Sequence, residues 1–221
     1  MGVLAQGSVD VSLAGESVVL LPGKALFWPS ESTLFVADLH LGKAAAFRAL
    51  AVPVPTGATQ DTLCRLSALL DETEASRVCL LGDLWHAQAG RTEGALSQFS
   101  DWRARHSGVS ILFVEGNHDR KCLPLSSDLG IETVDRAHAV GPFRLLHEPE
   151  DLSDGGYALA GHLHPGARLE GRGDQLTLPC FWFGASCGVL PAFGSFTGFG
   201  RIRPISGDRV YVVASSCVVP V

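Results

Sequence analysis

Four short loops of the sequence each place carboxylate, amide or imidazole side chains directly after an apolar segment. They are Asp38-x-His40, Gly82-Asp83, Gly116-Asn117-His118-Asp119 and Gly161-His162-x-His164. A fifth apolar segment ends at His147. At the end of an extended strand, a D-x-H or H-x-H pair can turn both side chains to one side, so that both reach the same ion. The sequence therefore predicts a metal site built from five separate loops.

The predicted ligands are oxygen and nitrogen donors, with no thiolate among them. They are Asp38, His40, Asp83, Asn117, His147, His162 and His164. Such a mixed set suits Mn²⁺, Fe or Zn²⁺ at a catalytic centre better than a structural zinc site. Two ions about 3.5–4 Å apart can clamp a phosphate and activate a water. We expect Asp83 to bridge them, and Asn117, a neutral donor, to keep the cluster from becoming too anionic for a phosphate.

Three further residues are candidates for the chemistry itself. His118 lies between a predicted ligand and Asp119, so it can face the substrate while the carboxylate of Asp119 fixes its tautomer and favours its protonated form. In that role it would protonate the leaving oxygen or stabilise the transition state. His86 follows Asp83 by three residues and is a candidate contact for the phosphate or leaving group, with a surface loop histidine as the alternative.

Basic residues near the loops are candidates for binding substrate phosphates. Lys43, Arg48 and Arg120 are close in sequence to the predicted ligands. The ordinary alternative for each is a solvated surface charge. The formal charge of the chain is −6, which argues against a broad basic surface for nucleic acid. Any contact with nucleic acid is therefore expected to be local.

The elements that must position these residues follow a repeating order of buried strand, polar loop and helix. Short strands are predicted within 9–28, and buried strands at 33–37, 77–81 and 110–114 lead into the first three loops. Helices are predicted after Gly42 and over 59–73 and 92–106. Further strands at 144–147, 157–160, 176–182 and 209–213 indicate a second sheet. This order is typical of an α/β sandwich with its chemistry at the carboxyl ends of central strands.

The bulk composition fits one compact domain over residues 1–221, since 46% of the residues are hydrophobic and 18% charged. Six cysteines occur without a C-x-x-C pair. Cys180 and Cys187 could form a disulfide, but two free thiols fit a reducing compartment better.

No stretch has the length of a membrane span, and the first residues lack a signal peptide pattern. A cytoplasmic protein without membrane attachment is expected.

The ordered motifs DLH, GDxxH, GNHD, a lone strand-end histidine and GHLH resemble the signature of the calcineurin-like metallophosphoesterases. The resemblance spans residues 38 to 164 and implies a four-layer α/β/β/α sandwich of two mixed sheets. It implies that one ion binds Asp38, His40, Asp83 and His164, and that the other binds Asp83, Asn117, His147 and His162. The protein phosphatase branch carries GDxVDRG and GNHE, whereas this chain has GDLWHAQ and GNHD. These differences argue against a protein phosphatase. GDLWH is similar to the GDLFH of SbcD-type nucleases.

Nearly the whole chain is similar to the bacterial ligase-associated metallophosphoesterases, the PdeM family. The similarity is carried by VADLHLGKAAAFRALAVPVPTG, LLHEPED and LPAFGSFTGFG. It implies a DNA endonuclease or phosphodiesterase that cleaves single-stranded DNA with Mn²⁺, in DNA repair, in functional association with an ATP-dependent DNA ligase and a helicase. Two alternatives stay open: a pyrophosphatase of the UDP-diacylglucosamine type, which shares DLHL and GNHD, and a non-catalytic scaffold with the same fold.

Overall fold

The computed structural model describes residues 6–122, 124–150, 156–171 and 174–221, which form two packed sheets with helices against the first. The strands of the first sheet are β1 (Val9–Leu13), β2 (Glu16–Leu21), β3 (Ala25–Trp28), β4 (Thr33–Ala37), β5 (Arg77–Leu81), β6 (Ser110–Val114) and β7 (Ile131–Val134). They lie in sequence order across the sheet. The pairings are antiparallel from β1 to β4 and parallel from β4 to β7.

The second sheet contains the remaining nine strands. They are β8 (Ala137–Val140), β9 (Phe143–Leu146), β10 (Tyr157–Ala160), β11 (Pro165–Gly171), β12 (Asp174–Phe183), β13 (Cys187–Val189), β14 (Gly200–Arg201), β15 (Arg209–Ala214) and β16 (Cys217–Pro220). Their order is β14-β11-β12-β13-β10-β9-β8, and β15 pairs with β12 and β16. Both β9 and β13 run parallel to β10, and the sheet also holds antiparallel pairs, so it is mixed.

The main core lies between the sheets and follows from the period of two in a strand. Along β4, Phe35 and Ala37 face the second sheet, whereas Leu34 and Val36 face the helices. The Phe143 ring from β9 meets the rings of Trp28 and Phe35 edge to face, at centroid distances of 5.1 and 6.0 Å. Because both faces of β4 to β6 are covered, these strands read as continuous apolar runs in the sequence.

The structure describes three α-helices: α1 (Lys43–Ala49), α2 (Ala58–Thr73) and α3 (Glu93–Arg105). The helices α2 and α3 pack on the outer face of the first sheet, and α1 packs against α2. The buried face of α2 carries Leu63, Leu66 and Leu70, which recur at helical spacing. The hydroxyl of Thr92 accepts a hydrogen bond from the Ala95 N–H and so caps the start of α3. Short 3-10 turns occupy Pro29–Glu31, Gln88–Gly90, Asp119–Lys121 and Ser127–Leu129.

The predicted α/β fold with two mixed sheets is confirmed, and the three buried strands before the first ligand loops have the predicted bounds. Of the described helices, α2 and α3 share a core with the first sheet. The outer face of the second sheet instead buries a small cluster that includes Cys180 and Val212. The six cysteines are free thiols. Among the described residues, no helix combines the length and the apolar character needed to cross a membrane.

Candidate metal centre

The five predicted ligand loops meet at one place between the two sheets. The parallel strands β4, β5 and β6 end side by side, so the loops after them emerge at one edge of the first sheet. The parallel strands β9 and β10 of the second sheet end opposite them. Backbone hydrogen bonds tie the loops together: Asp38 N–H donates to Gly82 (3.2 Å), His40 N–H to Asp83 (2.9 Å) and Gly161 N–H to His147 (3.1 Å). The tertiary fold thus brings all seven predicted ligands together.

Five of these ligands have a left-handed backbone, with φ between 45° and 66°: Asp38, His40, Asp83, His162 and His164. Such a conformation is unfavourable for a residue with a Cβ atom and persists where the surrounding structure enforces it. Here it turns each side chain off its strand and into the gap between the sheets. Strained backbone gathered at one spot is typical of a functional site.

At two positions next to the predicted ligands, steric contacts leave room only for glycine. A Cβ atom on Gly82 would lie 2.0 Å from Nδ1 of His147, and one on Gly116 would lie 2.3 Å from Oδ1 of Asp83. A side chain at either position would therefore displace a ligand. This explains why glycine stands immediately before Asp83 and Asn117 in the motifs.

One group of donor atoms comes from Asp38, His40, Asp83 and His164. Nε2 of His40 lies 3.1 Å from Nε2 of His164 and 3.8 Å from Oδ2 of Asp83. Oδ1 of Asp38 lies 3.7 Å from Nε2 of His164. Two ligands bound at right angles to one ion, with bonds of about 2.1 Å, lie about 3.0 Å apart. Donor atoms of Asp38, His40 and His164 lie within 4.8 Å of one another, close enough to share one ion, and Asp83 approaches this group through His40.

A second group comes from Asp83, Asn117, His147 and His162. Nε2 of His147 lies 2.9 Å from Oδ1 of Asn117, 3.1 Å from Nδ1 of His162 and 3.5 Å from Oδ1 of Asp83. The opposite ring nitrogen of His147, Nδ1, donates to the carbonyl oxygen of Leu81 at 3.1 Å. Since a carbonyl only accepts, that bond fixes the tautomer and leaves the lone pair of Nε2 facing the group.

Asp83 joins the two groups, because its Oδ2 faces His40 while its Oδ1 faces His147. The two oxygens of Asp38 have different environments. The His162 N–H donates to Oδ2 at 2.9 Å, whereas the buried Oδ1 has no hydrogen-bond partner among the described residues. A buried carboxylate oxygen without a donor is costly unless a cation compensates it. Lone pairs from carboxylate, amide and imidazole that converge in this way fit a pair of divalent cations.

Burial sets the protonation of the site. The pKa of His40 falls to about 2, mainly through burial and secondarily through the charge of Lys43. His40 is therefore a neutral imidazole at physiological pH, the form that binds metal. Burial also raises the pKa of Asp83, although His147 and the N–H of His118 lower it. Added positive charge would stabilise the ionised carboxylates of this buried cluster.

His118 stands at the open side of the centre with 39% of its side chain exposed, and its Nε2 lies 3.9 Å from Oδ2 of Asp83. Its Nδ1 donates to the carbonyl oxygen of His86 at 2.6 Å, which fixes the ring with Nε2 toward the site. The His86 ring stacks on the His118 ring at 5.1 Å and meets the His40 ring at 5.3 Å. Burial and the charge of Lys43 lower the pKa of His86 to about 4, so His86 is neutral.

Asp119 has a different role from the one the sequence suggested. Its buried carboxylate accepts hydrogen bonds from the N–H groups of Gly116 (2.9 Å), Trp85 (3.0 Å) and Leu84 (3.3 Å). The expectation that it orients His118 is wrong, because the carbonyl of His86 does so. Burial raises the pKa of Asp119 to about 6 while the three N–H groups oppose that rise. Asp119 thus holds the β5 and β6 loops in register.

The three predicted substrate-binding cations fall in different places. Lys43 lies near the centre, where the charges of Asp83 and Asp38 raise its pKa against the larger lowering by burial. Arg48 donates to the carbonyl oxygen of Pro55 at 3.1 Å, so it fastens the loop after α1. Arg120 lines a cavity of about 320 Å³ that also includes the ligands Asn117 and His147.

Two arginines that line the same cavity, Arg136 and Arg144, were not predicted from the sequence. Arg144 alternates with apolar neighbours on β9, and Arg136 stands just before β8, so neither adjoins a recognised motif. The only signal in the sequence was the position of Arg144 three residues before His147. Carboxylates line this cavity too, namely Glu115, Asp135, Glu148 and Glu150, so its positive charge is local.

The chain is similar to several solved structures. One is the crystal structure of the Pseudomonas putida nuclease MPE, which is 37% identical, covers 97% of this chain and 100% of its own, and superposes with a TM-score of 0.86. An Aquifex aeolicus protein of unknown function, AQ665, is 16% identical over 64% of this chain and 81% of its own (TM-score 0.42). The Escherichia coli phosphoesterase Yfce is 14% identical over 86% and 97% (TM-score 0.41). No protein-family model and no curated protein sequence matches the chain.

Proposed function

The chain belongs to the same family as the Pseudomonas putida nuclease MPE, and from this premise we propose that it is a metal-dependent phosphodiesterase that cleaves single-stranded DNA. One observation carries the proposal. The two carboxylate oxygens of Asp83 face two separate groups of donors, one around His40 and one around His147. A bridging carboxylate between two imidazole-rich groups is the arrangement that two-metal phosphoesterases require.

The first group would hold one divalent ion and the second group the other. Mn²⁺ is the proposed metal, and Fe or Zn²⁺ are alternatives that the same nitrogen and oxygen donors would also bind. Two such ions supply positive charge for the phosphoryl oxygens and lower the pKa of a water. The protein groups do the rest. The His86 carbonyl holds the His118 ring with Nε2 toward the centre, 3.9 Å from Oδ2 of Asp83. In the form protonated at both ring nitrogens, His118 can donate the Nε2 proton to the leaving sugar oxygen.

Single-stranded DNA is the proposed substrate because the acidic balance of the chain argues against a broad positive surface that would grip a duplex. Its formal charge is −6, and the arginines beside the metal ligands share their cavity with four carboxylates. Arg120, Arg136 and Arg144 can bind one or two backbone phosphates next to the scissile one, since a guanidinium matches a phosphate in geometry. A role in DNA repair with an ATP-dependent ligase and a helicase is part of the proposal and is tested by co-purification.

A comparison of four substrates tests the proposal. We expect the Mn²⁺-loaded protein to cleave single-stranded DNA faster than duplex DNA, to hydrolyse a chromogenic phosphodiester, and to leave a nucleotide-sugar lipid intact. Preferential hydrolysis of the lipid would support a pyrophosphatase of the UDP-diacylglucosamine type instead. Failure on every phosphodiester would support the scaffold alternative.

A variant of His118 tests the proposed proton donor. His118→Ala should lower turnover about 10²–10⁴-fold, the usual contribution of a positioned acid. Bound Mn²⁺, measured by calorimetry, should stay at the wild-type level. His138→Ala on β8, outside the donor groups, is the matched control and should keep full turnover. Full activity in His118→Ala would remove His118 from the mechanism.

A further inference from the structure

The segment after β13 is fastened at both ends to the ligand loops. The Phe193 N–H donates to the carbonyl of Ala37 (2.8 Å), and the Gly194 N–H donates to that of Asp38 (3.0 Å). At the other end, the Gly200 N–H donates to the carbonyl of His164 at 2.9 Å. The residues between these anchors therefore form a short arch beside the candidate metal centre.

The arch carries two exposed aromatic rings. Phe196 is 52% exposed and Phe199 is 47% exposed, whereas the other nine phenylalanines of the chain are buried or half-buried. Their backbone positions are held: the Thr197 hydroxyl donates to the Gly194 carbonyl at 3.4 Å, and Cβ of Phe199 packs against Gly166 so closely that a Cβ there would lie 2.6 Å away. Phe196 has a left-handed backbone, with φ of 60°.

Chain geometry limits how far these rings can be from the centre. The chain from the Gly194 nitrogen to the Cα atom of Phe196 spans at most about 9 Å, so that Cα atom lies within about 12 Å of the carbonyl oxygen of Asp38. Phe199 directly precedes Gly200, so its Cα atom lies within about 8 Å of the carbonyl oxygen of His164. The backbone that carries both rings is therefore within one or two nucleotides of a phosphate at the metal centre.

We propose that Phe196 and Phe199 form an aromatic platform on which unpaired bases next to the scissile phosphate stack. The proposal rests on the proposed function. Base stacking on aromatic rings needs no base sequence and is open only to bases that are not already stacked in a duplex. In a chain of formal charge −6, stacking supplies affinity that phosphate contacts alone cannot give. The exposed side chain of Arg201, directly after the arch, adds a cation for the backbone.

The aromatic platform is tested with two substrates that share the same chemistry. One is a thymidine oligonucleotide, and the other is bis(p-nitrophenyl) phosphate, which has no base. The variant Phe196→Ala/Phe199→Ala should cleave the oligonucleotide roughly 10- to 100-fold more slowly and hydrolyse the chromogenic diester at the wild-type rate. The corresponding Tyr double variant should restore cleavage, whereas the Leu double variant, apolar but without a ring, should not. Val219→Ala removes an exposed apolar side chain elsewhere and should change neither rate.

An oligonucleotide with abasic sites flanking the scissile bond provides the cross-check. The wild type should lose rate on this substrate, and the Ala double variant should lose nothing further. Unchanged cleavage of the ordinary oligonucleotide by the Ala variant would overturn the proposal, as would an equal loss on both substrates, because the rings would then support the metal centre itself.

A binding measurement separates this inference from the proposed function. Fluorescence anisotropy with a labelled thymidine oligonucleotide, in EDTA so that nothing is cleaved, should give weaker binding for the Ala variant than for the wild type. Ring-dependent binding by a protein that hydrolyses no diester with Mn²⁺ would keep the platform and refute the proposed catalysis. Equal binding by both proteins would refute the platform.

Discussion

Replacing Asp119 by alanine tests whether this carboxylate fastens two ligand loops or serves the chemistry. It is 1% exposed and accepts three backbone N–H bonds, two of them at 2.9 and 3.0 Å and the third, from Leu84, at 3.3 Å. Alanine would leave these donors buried without an acceptor. Each unmade bond costs about 1–3 kcal/mol, and the longest contributes least. Alanine also removes the cost of burying the ionised carboxylate, about 3 kcal/mol for a pKa raised from 3.8 to about 6. At pH 8 we therefore expect Asp119→Ala to lower the free energy of unfolding by about 1–3 kcal/mol.

Urea unfolding followed by tryptophan fluorescence measures this loss. The protein should be free of metal and held at pH 8, well above the pKa of about 6 for Asp119, so that the carboxylate is ionised. Asp101→Ala, which removes an exposed carboxylate from α3, is the control and should change stability by at most about 0.5 kcal/mol. Turnover of Asp119→Ala should fall because its loops lose metal. A variant of wild-type stability that binds metal normally and yet fails to turn over would refute this reasoning and return Asp119 to a catalytic role.

Two further predictions concern single positions. Gly82→Ala should abolish metal binding in a calorimetric titration, because its Cβ would lie 2.0 Å from Nδ1 of His147. The control Gly94→Ala, with open space around it in α3, should bind metal normally and gain about 0.5–1 kcal/mol of stability. Normal binding by Gly82→Ala would contradict the placement of His147. Burial, with a smaller contribution from Arg65, lowers the pKa of Lys24 from 10.5 to about 8, so the unfolded chain binds more protons between these values and stability should rise with pH across that window. Lys24→Met should therefore be more stable than the wild type by on the order of 1–2 kcal/mol below pH 8, with the difference vanishing above pH 10.5 in urea unfolding; a difference independent of pH would exclude this cause.

The sequence predicted the central fold well because its signals are local. The strands β4, β5 and β6 are apolar on both faces and are followed directly by Asp38, Gly82 and Glu115, so their bounds could be predicted from the sequence. The short strands after residue 131 were predicted less completely, since β7, β8 and β14 are half-exposed edges or pairs that depend on partners elsewhere in the chain. The family resemblance also implied a helical layer on the second sheet; in the described residues, the outer face of that sheet carries small apolar clusters formed by its own strands.

By itself the sequence determined which side chains are available as ligands and that each follows a strand end, because motif spacing and strand period are local properties. Only the tertiary structure decided which donors face each other, because His40 and His164 meet across 124 residues of chain. It also decided that Asp119 binds backbone N–H groups, that Arg48 fastens a loop and that Phe196 and Phe199 stand beside the centre. Such pairings depend on how two sheets pack, and no spacing within one loop carries that information.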